Sequence, residues 1–490
     1  MKLIEWAFLF LCSIVVITLG VIHSIHGTDP HHWGFILANA LDLAQGKVLF
    51  KETYVQYGLG QPFLYQFLSQ FFPINFSTIG MITSVVYALH LGLIYAISRK
   101  IGGPLLAAFI YGVTFLIHTY SISPWPNYYA GVCLSSAILL LLQDQRVRLS
   151  SILAGLFLFL AFFFRSTYLL SIVATTLVYL AVVLYAPNLR SKKVFTSLLT
   201  FYVGILIFAF ILAFHGDLQL WYEQSIGSGT SVYAVGFHEL LKSLRKAFWP
   251  VGGYLPDHIV NTSFVIFFNT TAYFLIRSVI RKIQPERTEY VFIALLGLAG
   301  LSQVVLSYEY FRLQNDCMPI FIITAVMMKD KLSKPKWRVG LALYLFLLIL
   351  RFPNGSILFP LYDGTLDSYQ ETSIPIFKFH RFQPQVKSYY EGLAKLLCQD
   401  DRKIINLTID STIPYLCSTP KNDLLLPLYN ERFFKNQQLD YQNKWVVTDQ
   451  LSKLDLASFD LIGEVIRPGS IRFFDASRVA VYLQRTPSPH

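Results

Sequence analysis

The chain has 490 residues, of which 54% are hydrophobic, 16% aromatic and only 14% charged, with a mean hydropathy of +0.49. A soluble domain averages about 25% charged, so this composition excludes a soluble globular protein and points to a polytopic α-helical membrane protein. The net charge of +11 is not a nucleic-acid signal, because the basic residues sit in short loops between hydrophobic runs, as the positive-inside rule expects.

The chain opens with MKLIEWAFLFLCSIVVITLG, which lacks a small-x-small cleavage pattern and reads as a retained first transmembrane helix and signal anchor. Hydrophobic runs follow near 76–98, 104–122, 128–143, 151–164, 167–186, 195–214, 261–280, 289–306, 317–329 and 338–351. With the first run near 6–22, they give about eleven spans on a window of roughly 20 residues. Arg165 interrupts one long apolar stretch between the fifth and sixth of them.

Lysine and arginine set the orientation. Arg99 and Lys100, Arg146 and Arg148, Arg190, Lys192 and Lys193, the group from Arg277 to Arg287, and Lys329 to Arg338 all fall in alternate loops. With the N-terminus cytoplasmic, each of these loops is cytoplasmic too. The opposite side then receives a first external loop at 23–75, the SISPWPN loop Ser121–Asn127, an external loop at 215–260, and everything after 352.

The stretch from Thr28 to Gly60 is the densest in ionisable groups. It carries Asp29, His31, His32 and Glu52, and it closes on Tyr54, Gln56, Tyr57, Gly58 and Gly60. Within it, the apolar spacing predicts an amphipathic interfacial helix over Gly34–Gln45, with Gly46 as its C-terminal cap. That helix would bring Asp29 and Glu52 to one cleft. A second interfacial helix is expected around Leu240, Leu241, Leu244 and Phe248, with Lys242, Arg245 and Lys246 on its basic side.

Beyond about Asn354 the hydrophobic runs shorten. Lys403–Asp410, Lys444–Asp449, Phe459–Ile466 and Ser477–Arg485 read as strands of a small extracytoplasmic α/β domain over 353–490. Outside the cytoplasm, Cys398 and Cys417 could form a disulfide. Nucleotide-binding glycine motifs are absent, and no cysteine spacing resembles a zinc site.

The acid after the first helix, the helix that follows it, the Lys51–Gly58 run, and the many-helix body with an external C-terminal domain together resemble the GT-C superfamily of integral membrane glycosyltransferases. The branch concerned holds the protein mannosyltransferases and the aminoarabinose transferases of lipid A. That family often carries a second acid in this loop, where Pro30 follows Asp29 here. The resemblance implies that residues 1–352 are the catalytic membrane domain. It implies an inverting transfer of a sugar from a polyprenyl-phosphate donor to a hydroxyl on a lipid, glycan or protein acceptor.

In that chemistry Asp29 is the general base. Arg165, Arg312 and the Lys242, Arg245, Lys246 group are the cations available to the donor phosphate. Glu52 either orients the acceptor or pairs with Lys47 or Lys51. His31, His32, Tyr54, Gln56 and Tyr57 are candidates to contact substrate. The two histidines could join Asp29 and Glu52 at a divalent metal, but adjacent side chains do not easily point the same way, so hydrogen bonding to substrate is preferred. Tyr54, Tyr57, Trp33, Trp125 and Trp221 either stack on sugar rings or form an interfacial aromatic belt, the belt being the simpler account of each. A transporter or flippase of a lipid-linked glycan is the first alternative. The absence of an internal repeat, and polar features gathered at one face, count against it. A non-catalytic subunit of an envelope polysaccharide complex is the second alternative.

Overall fold

A computed structural model describes residues 2–27, 29–118, 122–227, 237–249, 255–304, 310–350, 366–421, 423, 440–449, 458–469 and 478–485. Thr28, Ser121, Ser477, the expected loop segments 228–236 and 250–254, and the proposed domain boundary at 352 lie outside these residues.

Among the described residues, the membrane part is built mainly of helices. Its helices are α1 (Lys2–His26), α2 (His32–Ala44), α3 (Gly60–Leu68), α4 (Phe76–Gly102), α5 (Pro104–Leu116), α6 (Pro126–Leu141), α7 (Val147–Phe164), α8 (Tyr168–Tyr185) and α9 (Lys192–Phe214). Next come α10 (Leu218–Trp221), running on as a π-helical turn over Tyr222–Gly227, and α11 (Phe237–Phe248). Last are α12 (Leu255–Leu275), α13 (Glu289–Ala299), α14 (Tyr310–Asp316), α15 (Pro319–Met328) and α16 (Pro335–Leu350).

Each expected apolar run contains a helix among the described residues. Among the described residues, six helices are long and apolar enough to cross a membrane: Leu3–His26, Phe76–Gly102, Val147–Phe164, Tyr168–Tyr185, Lys192–Phe214 and His258–Ile280. Four others, at Pro104–Leu116, Pro126–Leu141, Glu289–Gln303 and Pro319–Met328, are apolar but shorter. The chain is therefore an integral membrane protein, and the four shorter apolar helices fall on four of the other expected runs.

The basic loops meet at one end of the bundle. Arg287 forms a two-pronged pair with Asp144 at 2.8 and 2.7 Å. Lys193 donates to the Gln143 carbonyl at 2.6 Å. Lys329 pairs with Glu286, and Arg99 with Glu5 at 2.5 Å.

The chain breaks between α7 and α8 at Arg165, whose backbone is extended (φ −141°). The cause is the first loop docking there. The Ser166 amide donates to the Tyr57 carbonyl at 2.7 Å. A Cβ on Gly58 would lie 2.6 and 2.7 Å from the carbonyl oxygens of Phe164 and Phe163. Only glycine allows this approach of backbone to backbone.

The C-terminal part contains the four expected strands: β3 (Ile404–Leu407), β4 (Trp445–Thr448), β5 (Phe459–Ile466) and β6 (Arg478–Gln484). They order as β3-β4-β6-β5, with β3 parallel to β4 and the remaining pairs antiparallel. A two-stranded ribbon, β1 (Gln370–Glu371) with β2 (Arg381–Phe382), precedes helix α17 (Pro384–Leu397). Cys398 and Cys417 are joined in a disulfide.

Two expectations change. Helix α2 begins at His32, and Gly46 follows it at φ +81° as expected. It does not lie half-immersed at an interface, however: Trp33 to Ala40 are all buried. The C-terminal domain covers it. Tyr415 donates to Asp42 at 2.7 Å, and Gly34 packs so closely that a Cβ would lie 2.7 Å from a methyl of Thr412. The aromatic belt also fails for Trp33, Trp125, Trp221 and Tyr54, all of which are buried. They pack into the interior, as in the stack of Trp33 on Phe76 at 4.6 Å. Among the described residues, Trp6 and Trp249 are the most exposed tryptophans, at 70% and 69%.

Candidate active site

Asp29 sits one turn before α2 and accepts from the start of that helix. The His32 amide donates to its Oδ1 at 2.9 Å, and His32 Nδ1 lies 3.0 Å from its Oδ2. Its side chain is 27% exposed, which leaves the carboxylate reachable. Burial acts to raise its pKa, but the hydrogen bond and charge of His32 outweigh it, so the carboxyl lies below its ordinary value. His31 is held neutral, with a pKa of about 3, chiefly by burial and then by the charge of His32. The charge of Asp29 and a hydrogen bond to the Ile409 backbone only partly offset this.

From His32 the site runs into the aromatic core of the loop. The His32 ring lies 4.4 Å from that of Trp125, and Tyr57 meets the same indole edge-on at 5.6 Å. Arg312 places its guanidinium 4.8 Å from the Trp125 ring centre, within the range of a cation–π contact. Arg165 and Arg312 are within electrostatic reach of each other. Arg165 is 7% exposed, donates from Nη1 to Asn127 Oδ1 at 2.6 Å, and has a buried Nε with no partner among the described residues. A buried guanidinium with an unfilled donor is a ready anion site.

The structure thus sets His32, Tyr57 and Arg312 against Trp125, joins Asp29 and His31 to them through His32, and brings Arg165 within electrostatic reach of Arg312 and Tyr57. Gln56 is half-buried beside Tyr57. Glu52 stands apart from them. It is exposed, and its carboxylate accepts the amide of Val48 at 2.6 Å, closing a local turn. Its lysine neighbours are engaged elsewhere, Lys47 with Asp42 at 3.0 Å and Lys51 with Asp217 at 2.8 Å.

Tyr54 is fully buried. It donates to the Gln224 carbonyl at 3.4 Å, while the Gln224 side chain binds the Val55 amide and the Phe50 carbonyl. Tyr54 therefore fixes the loop to the turn after α10. Helix α11 packs on α12 through Phe248 and Phe268, at 5.8 Å, and turns Lys242 and Arg245 outward, with Lys246 half-buried. Among the described residues, no three His, Cys, Asp or Glu side chains group as a metal site.

Three participants escaped the sequence reading: Asn127, Tyr168 and Asp316. Asp316 accepts from Asn127 Nδ2 at 2.7 Å on both oxygens and from the Tyr168 hydroxyl at 2.8 Å. The signal was available. An acid within an apolar region is functional by default, and Asp316 follows Arg312 by one helical turn.

No protein-family profile matches the sequence, and no curated protein matches it. Solved structures resemble it in layout along nearly the whole chain. One is the crystal structure of ArnT from Cupriavidus metallidurans bound to undecaprenyl phosphate, with a TM-score of 0.46 and 11% identity over 97% of each chain. The apo crystal structure of the same protein gives a TM-score of 0.45 and 11% identity over 98% of each chain. At that identity and overlap the likeness carries no residue-by-residue correspondence.

Proposed function

We propose that the chain is an inverting membrane glycosyltransferase that moves a sugar from a polyprenyl-phosphate donor to a hydroxyl acceptor. The observation that carries this reading is the run of contacts from a low-pKa, reachable carboxylate, Asp29, through His32 and Trp125 to the Arg312 guanidinium, with Arg165 in electrostatic reach of Arg312. The acceptor oxygen attacks the anomeric carbon from the side opposite the phosphate. Its proton passes to Asp29, already ionised at neutral pH, as the new carbon–oxygen bond forms. The bond from the anomeric carbon to the phosphate oxygen breaks, and the electron pair leaves on the phosphate. Arg165 and Arg312 stabilise that developing charge. His32 holds the Asp29 carboxylate in place.

The reading places the site and the domain at 353–490 outside the cytoplasm, on the side opposite the clustered basic loops. The N-terminus is then cytoplasmic, and the plasma or inner membrane the natural location. The disulfide supports this sidedness, because such bonds persist in oxidising compartments. No metal is required by this scheme.

The test is sugar transfer by the purified protein in nanodiscs, using a panel of polyprenyl-phosphate sugars, for wild type and Asp29→Asn. Wild type should consume one donor. The variant should be slower by about 10²- to 10⁴-fold while still binding that donor. If wild type consumes none, the transferase reading is lost. Binding of a donor without turnover would instead favour a transporter or a non-catalytic subunit.

A further inference from the structure

Asp316 is an acid enclosed by the site's own residues, Asn127 and Tyr168. It is 1% exposed, and its partner Asn127 is 0% exposed. A carboxylate so placed must be compensated, and removal of its partners would be costly. Here the compensation has a direction. An asparagine side chain donates from one end and accepts at the other. Both Asp316 oxygens lie 2.7 Å from Asn127 Nδ2. The amide must therefore turn its nitrogen to the carboxylate and its oxygen to the other side, where Arg165 Nη1 meets it at 2.6 Å. The reverse orientation would set oxygen against carboxylate and an NH₂ group against a guanidinium. Tyr168, at the start of α8, donates to the same carboxylate, so it is tied to both sides of the Arg165 break.

We propose that Asp316 is a positioning residue: through Asn127 it holds the Arg165 guanidinium with its free donor edge toward the donor phosphate. This rests on the transferase reading above and deepens it. The same carboxylate lies on α14, which also carries Arg312, so one acid keeps both cations in register. Arg165 Nε, buried and unpartnered, is the donor left for the ligand.

The experiment measures binding of polyprenyl phosphate and of the uncharged polyprenol to the full-length protein in nanodiscs, with melting temperature as a control. Asp316→Asn should weaken polyprenyl phosphate binding by about tenfold or more, the range of a hydrogen bond to a charged group, and leave polyprenol binding unchanged. In turnover it should raise KM for the donor and also lower kcat, because Arg165 stabilises the leaving phosphate, whereas Asp29→Asn should lower kcat while donor binding is kept. The exchange variant Asn127→Asp with Asp316→Asn returns an acceptor to Arg165 and should restore phosphate binding to within a few-fold of wild type. It also serves if the single variant does not fold.

Equal loss of phosphate and alcohol binding in the single variant would overturn the proposal, as would phosphate binding by Asp316→Asn at wild-type strength. So would a folded exchange variant that stays weak. Failure of wild type to bind polyprenyl phosphate at all is a different result, and it removes the transferase reading itself.

Discussion

Three site residues converge on the Trp125 ring: His32 at 4.4 Å, Tyr57 at 5.6 Å and Arg312 at 4.8 Å. An indole holds a cation by its quadrupole, worth about 0.5–2 kcal/mol depending on how dry the contact is. Trp125→Leu should therefore raise the donor KM by about 2- to 30-fold, and Trp125→Phe should lose less. Steady-state kinetics against the consumed donor would show it, and equal KM values for all three would detach Arg312 from donor binding. At this scale the sequence was partly legible. Asp29, His32, Arg165 and Arg312 stand out because ionisable groups beside a membrane demand a reason. Glu52 stands out by the same logic but closes a local turn, while Tyr54 fixes the loop to the turn after α10. Whether a loop carboxylate turns to its own backbone or to a distant cluster depends on turn geometry that residue type does not encode.

Helix α2 owes its burial to a partner supplied from far along the chain. The segment around Asp410 is braced internally, with Asn406 donating to the Asp410 carbonyl at 2.7 Å and Thr412 to its carboxylate at 3.0 and 2.5 Å. So braced, it meets the first loop, where the Ser411 amide donates to the Pro30 carbonyl at 3.3 Å. His380 makes a second tie, its Nδ1 lying 3.1 Å from the Ser24 carbonyl at the end of α1. Burial holds the pKa of His380 at about 3, despite a compensating bond to Ser24 and helped by the charge of His26.

These ties predict a pH effect. Above the ordinary histidine value of 6.5, His31 and His380 are neutral whether the domain is docked or free, so docking keeps its full strength. As pH falls from 6.5 toward about 3, the undocked form takes up protons that the docked form refuses, and docking weakens. Protonated His380 would also bury an Nε2 donor that has no partner among the described residues. Hydrogen exchange in residues 374–382 and 408–412, corrected for intrinsic rate, should be faster at acid pH than at neutral pH. His380→Gln should flatten the difference, and identical corrected rates would show that these histidines do not govern docking.

For the whole molecule, the disulfide and the two unlike ends of the bundle matter most. The bridge closes a separation of 19 residues, and loop entropy of that size is worth about 3 kcal/mol. It sits beside Tyr415, the residue that holds Asp42 of α2. Reduction should lower the stability of the C-terminal domain by about 3 kcal/mol and expose it to protease while the membrane helices stay intact. Proteolysis across a urea series, with and without reductant, measures this, and no change on reduction would count against it.

The helical membrane body, the basic loops and the four strands were readable in one dimension. Hydropathy, charge and alternation act over a few neighbouring residues, and those signals are local. The break at Arg165 was readable from the arginine itself, but the loop that docks on it, more than a hundred positions away in the chain, was not. The pairings of Arg165 with Asn127, Asn127 with Asp316, and Gly34 with Thr412 carry no local signature at all. Each joins residues far apart in sequence, and it is packing in three dimensions, under the demand that buried polar groups find partners, that selects them.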